Sequence, residues 1–282
     1  MRDNYRGVSD SKAYNMLLQR LRTFFLEKGF REVHTQDRLS ILAACEDPST
    51  VATFDYAGET WPLPQTGQMW LEYELLTEPD IPGIFCVSTS YRNEQRPVPG
   101  RHKLLFPMLE FESHGSIDDL RELESELLMY LGFGPRTAFA YHTYDELRER
   151  YGVPELSHKE ENRMAKDISY AVFCEKFPVR TSPFWNMHKE GEYARKIDVI
   201  LHGNETIGSA ERSSNVEEMR RQFHEISDGK YAGKLYELFG RDRVEKELED
   251  FLSLNFFPRF GGGIGMTRLI DAWKKHGAPA FT

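Results

Sequence analysis

The sequence predicts an α+β fold in which helices flank an antiparallel β-sheet. In segments 11–28 and 116–131 the apolar residues recur at helical spacing, which is typical of amphipathic helices. Segments 84–92 and 105–112 are instead short apolar and aromatic runs, and the arginine- and proline-containing segment 95–101 between them predicts a hairpin loop. Because no repeat, low-complexity tract or linker interrupts these patterns, we expect a single domain.

The first helix, at 11–28, has clear end signals. Ser9 or Asp10 can cap its amino end, and Gly29 can close its carboxyl end. A short strand is expected directly after it, at 30–35. The other predicted elements are a helix at 116–131 capped by Ser116, helices near 144–151 and 158–167, strands at 170–173, 184–187 and 197–202, and helices at 214–227 and 244–252.

Composition and charge exclude several classes of protein. The chain has 282 residues, of which 40% are hydrophobic, so it is long enough to bury a substantial core. Its formal net charge of −9 argues against a broad nucleic-acid-binding face. Cys45, Cys86 and Cys174 are odd in number and far apart, which favours reduced thiols. Without a signal peptide or an apolar run of bilayer length in the sequence, we expect a cytoplasmic protein with no membrane contact.

A glycine run near the carboxyl end predicts a phosphate-binding site. Four of the five positions in 261–265 are glycine, and Arg268 follows at the start of an apolar segment. Glycines let the backbone approach a ligand closely, and an arginine in the first turn of a helix can contact phosphate oxygens. The run matches neither the P-loop, which needs Lys-Ser or Lys-Thr next, nor the dinucleotide pattern, because Met266 stands at its third glycine. A purely structural glycine-rich turn is the alternative.

A second polar block lies on the two strands of the predicted hairpin. Alternate residues of a strand share a face, so Arg92 and Glu94 lie together. The same holds on the next strand for Phe106, Met108, Glu110 and Glu112. This face is too polar for a core and suits a site, with Arg92 for a phosphate or carboxylate, Phe106 for stacking on a base, and the acids for amino groups. A solvated outer face is the alternative.

These residues resemble motifs of the class II aminoacyl-tRNA synthetases. Arg92-Asn93-Glu94 with Phe-x-x-Leu-Glu-x-Glu at 106–112 resembles motif 2, and Gly263-x-Gly265-x-x-Arg268 resembles motif 3. Segment 24–35 resembles motif 1, the dimer element, although Gln36 replaces the usual proline. We place motif 1 at about 14–36, motif 2 at about 84–114 and motif 3 at about 256–273. The resemblance implies a class II synthetase-like catalytic domain over 1–282, forming a homodimer.

A further match narrows the family to its aspartate and asparagine branch. Asp198, Glu205 and Arg212 lie seven positions apart, as they do in that branch and in the related ammonia-dependent asparagine synthetase. The resemblance implies that Asp198 and Glu205 hold Mg²⁺ on the phosphates of ATP, since carboxylate oxygens suit this ion. It also implies that Arg212 binds the side chain of the substrate, because its fork matches a carboxylate or carboxamide.

Segment 66–72 resembles the amino-acid-binding loop of the same branch. Gln68 and Glu72 follow the asparagine-enzyme pattern, in which the glutamine binds the α-ammonium group and the glutamate faces the side-chain amide. Leu71 stands where aspartate enzymes have a lysine. Glu110 is the second expected partner of the ammonium group. The bulky segment 69–71 departs from the family and suggests an altered substrate pocket.

The reaction implied is attack of a substrate carboxylate on the α-phosphate of ATP, which forms an acyl-adenylate and releases pyrophosphate. Arg92 would bind the α-phosphate and Arg268 the γ-phosphate, and we assign both as catalytic. The residues expected to bind ATP are Arg92, Glu94, Phe106, Gly263, Gly265 and Arg268. No side-chain nucleophile is required.

The acyl acceptor is the most open part of the prediction. The motifs begin almost at Met1, so we expect no anticodon-binding domain, as in the synthetase-derived proteins related to asparagine synthetase. This favours an AMP-forming ligase that activates aspartate or a close relative and transfers the acyl group to ammonia. The alternatives are a stand-alone paralogue that charges a tRNA, a carrier protein or a metabolite, and a non-catalytic regulatory paralogue. Whether the α- or the β-carboxylate is activated stays open.

Overall fold

A computed structural model of the chain describes residues 8, 10–35, 39–41, 48–94, 103–181 and 183–277. Gln36, Cys45 and the predicted hairpin loop at 95–101 lie outside the described residues. The predicted α+β class is confirmed, with a mostly antiparallel sheet flanked by helices in a single domain. No helix in the described ranges is long and apolar enough to cross a membrane.

The helices of the described residues are α1 (Ser11–Glu27), α2 (Gln68–Thr77), α3 (Ile117–Tyr130), α4 (Tyr144–Tyr151), α5 (His158–Asp167), α6 (Val216–Glu225), α7 (Lys230–Phe239), α8 (Arg241–Leu252) and α9 (Met266–His276). The strands are β1 (Arg31–Glu32), β2 (Thr53–Tyr56), β3 (Glu59–Pro62), β4 (Gly83–Tyr91), β5 (Leu105–His114), β6 (Ala140–Thr143), β7 (Ala171–Pro178), β8 (Lys189–Glu190), β9 (Tyr193–Leu201), β10 (Asn204–Arg212) and β11 (Arg259–Gly265).

In the part of the chain that the structure describes, nine strands form the main sheet in the order β1-β4-β5-β11-β10-β9-β7-β6, with β8 paired to β9, and β2 and β3 form a separate hairpin. The pairs β1–β4 and β6–β7 are parallel, and the other pairs of the main sheet are antiparallel. The four central strands are β5, β11, β10 and β9, and they come from three separate parts of the sequence, because β9 and β10 form a local hairpin. Their side by side arrangement brings the predicted motifs 2 and 3 and the Asp198 segment together.

The two faces of the sheet differ in chemistry because successive side chains of a strand alternate. Ile197, Val199 and Leu201 of β9 lie in the main apolar core, which α1, α3 and α9 cover. Asp198 and Ile200 therefore point to the opposite face. We call that opposite face the site face, and the acids and glycines of the predicted motifs lie on it.

Most of the predicted elements are confirmed, with shifted ends. Asp10 caps α1, since its Oδ1 accepts a hydrogen bond of 2.9 Å from the Ala13 amide. The prediction of a strand at 184–187 is wrong. These residues form a turn, in which the Met187 amide bonds to the Phe184 carbonyl at 3.2 Å. The turn is stabilised by the burial of Trp185 and by a hydrogen bond from Asn186 to a buried carboxylate.

Two local predictions about the motifs are also corrected. The glycine run is not a turn: Gly261 to Gly265 belong to β11, and only the end of the run meets α9. Segment 68–72 is not a loop but the first turns of α2. A helix buried on several sides has no single apolar stripe, which is why its periodicity gave no helical signal.

Candidate functional site

Glycines on two neighbouring strands form a trough across the site face. Gly261, Gly263 and Gly265 alternate along β11, and Gly208 lies opposite Gly263 on β10. A Cβ atom built on Gly263 would lie 2.5 Å from Met108 Cε and within 3.6 Å of Gln68 Nε2. The glycines thus leave a floor without side chains between the polar residues of β5 on one side and those of β9 on the other.

Gly261 has a specific packing role. A Cβ atom built on it would lie 1.9 Å from Glu112 Oε1, and Glu112 is fully buried. We expect Gly261→Ala to displace this carboxylate and to destabilise the chain by about 1–3 kcal/mol, as overpacking does. Urea unfolding measures the change. Gly233→Ala is the matched control, because no atom lies within 4 Å of its added methyl group in α7, and an equal loss in both variants would contradict the packing role.

Arg92 and Phe106 lie at the β4–β5 end of the trough. Arg92 directly follows β4; its Nε donates to Ser90 Oγ at 3.1 Å, and its amide bonds to the Leu104 carbonyl at 2.7 Å. Phe106 is half-buried on β5, and Glu94 is half-buried just beyond Arg92. The structure therefore places the predicted phosphate arginine and the predicted base-stacking ring at one end of the trough.

Glu110 lies at the β5 edge of the trough, fully buried. It accepts hydrogen bonds from the Gly67 amide at 2.7 Å, from Thr66 Oγ1 and from Ser88 Oγ. Burial raises the pKa of Glu110, although these hydrogen bonds and Arg92 oppose the rise. Gln68 Nε2 and the Glu110 side chain both approach the Cβ position of Gly263 within 3.6 Å. The two predicted ammonium ligands therefore converge on the same point of the trough.

Glu72 and Arg212, the other predicted substrate ligands, lie in a buried ionic cluster. Arg212 donates to Glu112 Oε1 through Nε at 3.0 Å and Nη2 at 2.5 Å. Glu72 accepts from Arg259 Nη2 and from Asn186 Nδ2, both at 2.6 Å. All five side chains are at most 1% exposed. Two arginines thus balance two glutamates below the trough.

This cluster includes residues that the motif comparison missed. Arg259 and Asn186 were not predicted, although Arg259 could have been found because it precedes Gly261, Gly263 and Gly265 at the same two-residue spacing. Burial raises the pKa of Glu112 to about 7, against the opposing effect of Arg212. Its Oε2 atom is buried and has no hydrogen-bond partner among the described residues. Asn186 Oδ1 and Arg259 Nε are likewise buried without a hydrogen-bond partner among the described residues, so the polar atoms of the cluster are only partly satisfied.

The two predicted metal ligands face each other across Gly208. A Cβ atom built on this glycine would lie 3.3 Å from Glu205 Oε1 and 3.6 Å from Asp198 Oδ1. Asp198 Oδ2 accepts from Lys196 Nζ at 2.5 Å, while Oδ1 is buried without a hydrogen-bond partner among the described residues. Two converging carboxylates, one with an unsatisfied oxygen, fit Mg²⁺, which ordinarily takes one or two carboxylates and completes its shell with phosphate and water oxygens.

Asp198 should give the stability a distinctive pH dependence. Burial raises its pKa from 3.8 to about 7, and Glu205 adds to the rise while Lys196 opposes it. Because the folded state binds this proton more tightly than the unfolded chain, the contribution of Asp198 is full below its unfolded pKa and is lost as the pH rises to about 7. Asp198→Asn should therefore gain stability relative to the unsubstituted chain between about pH 4 and 7.

Urea unfolding without Mg²⁺ at the two ends of this pH range measures the effect. Asp271→Asn, which removes an exposed carboxylate from α9, is the control for the loss of one charge. A stability difference between Asp198→Asn and the unsubstituted chain that stays constant across the range would show that the pKa of Asp198 is not raised on folding.

Arg268 lies at the same end of the trough as the two carboxylates. It belongs to the first turn of α9, and its Nη1 donates to the Glu205 carbonyl at 2.7 Å and lies 3.7 Å from Glu205 Oε2. The trough therefore has an arginine at each end, with the two carboxylates beside Arg268 and the ring of Phe106 beside Arg92.

Comparison with known proteins identifies the family of the chain. Residues 10–274 match the family described as tRNA synthetases class II (D, K and N). The chain belongs to this family. The structure of the chain is also similar to that of asparaginyl-tRNA synthetase from Pyrococcus horikoshii in complex with asparaginyl-adenylate, which has the class II synthetase fold. The TM-score is 0.77 and the sequence identity is 20%, and the match covers 94% of this chain and 64% of that chain.

Among curated relatives, the cytoplasmic asparagine–tRNA ligase of Debaryomyces hansenii is 27% identical to this chain over 256 residues. The match covers 75% of this chain and 45% of that protein. The chain is 23% identical over 242 residues to the aspartate–tRNA(Asp/Asn) ligase of Methanopyrus kandleri, covering 76% of this chain and 55% of that protein. The chain spans about half the length of these two relatives.

Proposed function

We propose that the chain activates an amino-acid carboxylate with ATP, forming an enzyme-bound aminoacyl-adenylate and pyrophosphate. The observation that carries this proposal is the glycine trough, because Arg92 and Phe106 lie at one end and Arg268, Asp198 and Glu205 at the other. A nucleotide with its base at Phe106 and its phosphate chain extending to Arg268 matches this arrangement. The structural relative from Pyrococcus horikoshii was solved with an aminoacyl-adenylate bound, which supports the same chemistry.

In the proposed mechanism the chain positions reactants and neutralises charge rather than forming a covalent intermediate. Phe106 stacks on adenine with Glu94 nearby, while Gly263 and Gly265 let the nucleotide lie against the strand. Arg92 binds the α-phosphate and stabilises the charge that develops on it during carboxylate attack. Arg268 holds the γ-phosphate end. Asp198 and Glu205 would hold Mg²⁺, which would supply positive charge to the phosphate oxygens of ATP.

The amino acid is proposed to be aspartate, asparagine or a close relative. Glu110 and Gln68 converge beside Gly263 and would hold its ammonium group. Its polar side chain would then reach Arg212. Since Glu112 already binds the Arg212 guanidinium, a substrate carboxylate or carboxamide must compete with Glu112 for the same donors.

For the second step we propose a nitrogen nucleophile, with ammonia as the simplest. The space beside Asp198 and Glu205 is also lined by Glu155 and Glu161, and an acidic surrounding attracts an ammonium ion and repels polyanionic RNA. The rival is transfer to a tRNA, a carrier protein or a metabolite, which the tRNA ligase activity named for the relatives favours. Homodimerisation and a cytoplasmic location remain predictions.

Pyrophosphate exchange tests the first step. Purified protein with ATP and Mg²⁺ should exchange labelled pyrophosphate into ATP with one or a few members of an amino-acid panel. Mass spectrometry of the products with ¹⁵N-ammonium, and separately with tRNA, then identifies the acceptor. The absence of exchange with every amino acid would favour the non-catalytic paralogue. Amino-acid-dependent exchange followed by charging of tRNA alone would replace the ammonia proposal with the rival.

A further inference from the structure

A cavity of about 500 Å³ continues the site face beyond the two carboxylates. It lies over β7 and β9, with α4 and α5 on one side and the segment around Phe184 on the other. Asp198 and Glu205 border both this cavity and the trough, since both carboxylates also converge above Gly208. We call this space the side cavity. A molecule in it would lie next to a nucleotide in the trough.

The inner wall of the side cavity is apolar. Met164 of α5, Cys174 and Phe177 of β7, and Ile200 of β9 line it, and each is at most 9% exposed. The lining as a whole exposes somewhat more polar than apolar surface, and a volume of this size is typical of sites for small organic ligands. Ammonia, about the size of a water molecule with its roughly 30 Å³ share of liquid, would leave most of the space empty.

The charged residues of the side cavity favour a cation. Its described lining contains four acids, Glu155, Glu161, Asp198 and Glu205, and two bases, Lys196 and Arg180. Both bases already contact acids, because Lys196 Nζ lies 2.5 Å from Asp198 Oδ2 and Arg180 Nη2 lies 2.9 Å from Asp145 Oδ1. By formal charge the acids of this lining outnumber its bases by two, so the cavity attracts cations when Asp198 and Glu205 hold no Mg²⁺.

One aromatic ring in the cavity already interacts with an ammonium group. Lys196 Nζ lies 3.8 Å from the centroid of the Phe177 ring, within the distance of a cation–π contact. Because Lys196 already covers this ring, recognition of a ligand depends on the surplus acids and the apolar inner wall. Together these match a molecule with an amino group at one end and an apolar body at the other.

We propose that the side cavity binds the acyl acceptor and that this acceptor is a primary amine with an apolar substituent. The proposal rests on the adenylation proposed above and names the class of its nitrogen nucleophile. Asp198 on β9 is two strands from Gly263 on β11, which at the usual strand spacing is about 10 Å. The amino group must therefore extend from the cavity across Gly208 on an arm of several atoms.

The step balances without another reactant. The amine loses a proton to become the free base, and its nitrogen attacks the carbonyl carbon of the acyl-adenylate. A carbon–nitrogen bond forms, the bond from that carbon to the phosphate oxygen breaks, and AMP leaves with the electron pair. The ammonium form of the amine gives up two protons, one before the attack and one as the amide forms, and both pass to water.

A series of alkylamines tests the acceptor directly. With ATP, Mg²⁺ and the amino acid found by pyrophosphate exchange, hexylamine should give at least ten times more amide than equimolar ammonia, with methylamine between them. Thr181→Trp places a large ring in the half-buried rim of the cavity, and should lower amide formation from hexylamine at least tenfold while leaving pyrophosphate exchange within twofold. Glu161→Gln should weaken hexylamine transfer similarly, and Glu149→Gln, an exposed acid on α4, should not.

A binding measurement separates this proposal from the proposed function. ¹⁹F NMR with 4-fluorophenethylamine should show saturable binding to the unsubstituted chain, at least tenfold tighter than to Thr181→Trp. Binding without any pyrophosphate exchange would support the amine cavity and overturn the adenylation proposal. Exchange without saturable binding at millimolar probe, equal amide yields from ammonia and hexylamine, or acylation of RNA alone would overturn the amine cavity.

Discussion

Arg259→Met is expected to destabilise the chain by about 3–5 kcal/mol, because it removes one partner of a fully buried ion pair. Arg259 and Glu72 are 0% exposed and are joined by a 2.6 Å hydrogen bond, and Arg259 Nη1 also donates to the Ser213 carbonyl at 3.1 Å. Without Arg259, the buried Glu72 carboxylate keeps only its contacts with Asn186 and Arg212, and Arg212 already binds Glu112. Urea or guanidinium unfolding, with a check that the transition is two-state, measures the change.

Two further variants separate the buried charge from simple packing. Replacing both partners, in the double variant Arg259→Met with Glu72→Met, should recover part of the loss, since no unpaired charge then remains. Arg22→Met removes a surface ion pair with Glu32 and should cost at most about 1 kcal/mol. A loss for Arg259→Met no larger than that for Arg22→Met would mean that the pair contributes little to folding.

Arg92→Ala is expected to lower kcat/KM for pyrophosphate exchange by about 10²–10³, the effect of removing one donor to charge that develops in the transition state. The fold should tolerate this change, because Arg92 follows the end of β4 and its side chain is only half-buried. Arg148→Ala, on α4, is the matched control for loss of an arginine. Circular dichroism and a thermal melt confirm folding before the kinetics are compared.

The division of the effect between kcat and KM identifies the role of Arg92. A fall mainly in kcat would mean that Arg92 acts on the α-phosphate during carboxylate attack, whereas a rise only in the KM for ATP would reduce its role to ground-state binding. Exchange within threefold of the unsubstituted chain would remove Arg92 from the proposed mechanism.

The strand-based parts of the site were predictable from local pattern. The period of two along a strand is enough to place Met108, Glu110 and Glu112 on one face, and the observed register of β5 with β11 agrees with that prediction. The helix of Arg268 was likewise predictable, because the apolar spacing after the glycines has the helical period. Such predictions need only neighbours in the sequence.

The contacts of the ionic cluster were not predictable in this way. Arg259 and Glu72 are 187 positions apart, and Arg212 and Glu112 are 100 apart, so no local pattern contains either pair. The motif comparison assigned Glu72 and Arg212 to the substrate, whereas the fold also gives each of them a protein partner. Whether a charged residue faces a ligand or another side chain depends on the strands that lie beside it.

The amino-acid sequence alone thus determined the fold class, the motifs that carry the phosphate arginines and the acids, and the family to which they are similar. These properties depend on side-chain periodicity and on residue types at short spacing. Only the tertiary structure decided that four glycines from β10 and β11 join into one trough, that Asp198 and Glu205 converge above Gly208, and that a side cavity opens next to them. The trough arises from the pairing of β10 with the distant β11, whereas Asp198 and Glu205 meet within the local β9–β10 hairpin. Burial and charge compensation are properties of the assembled sheet.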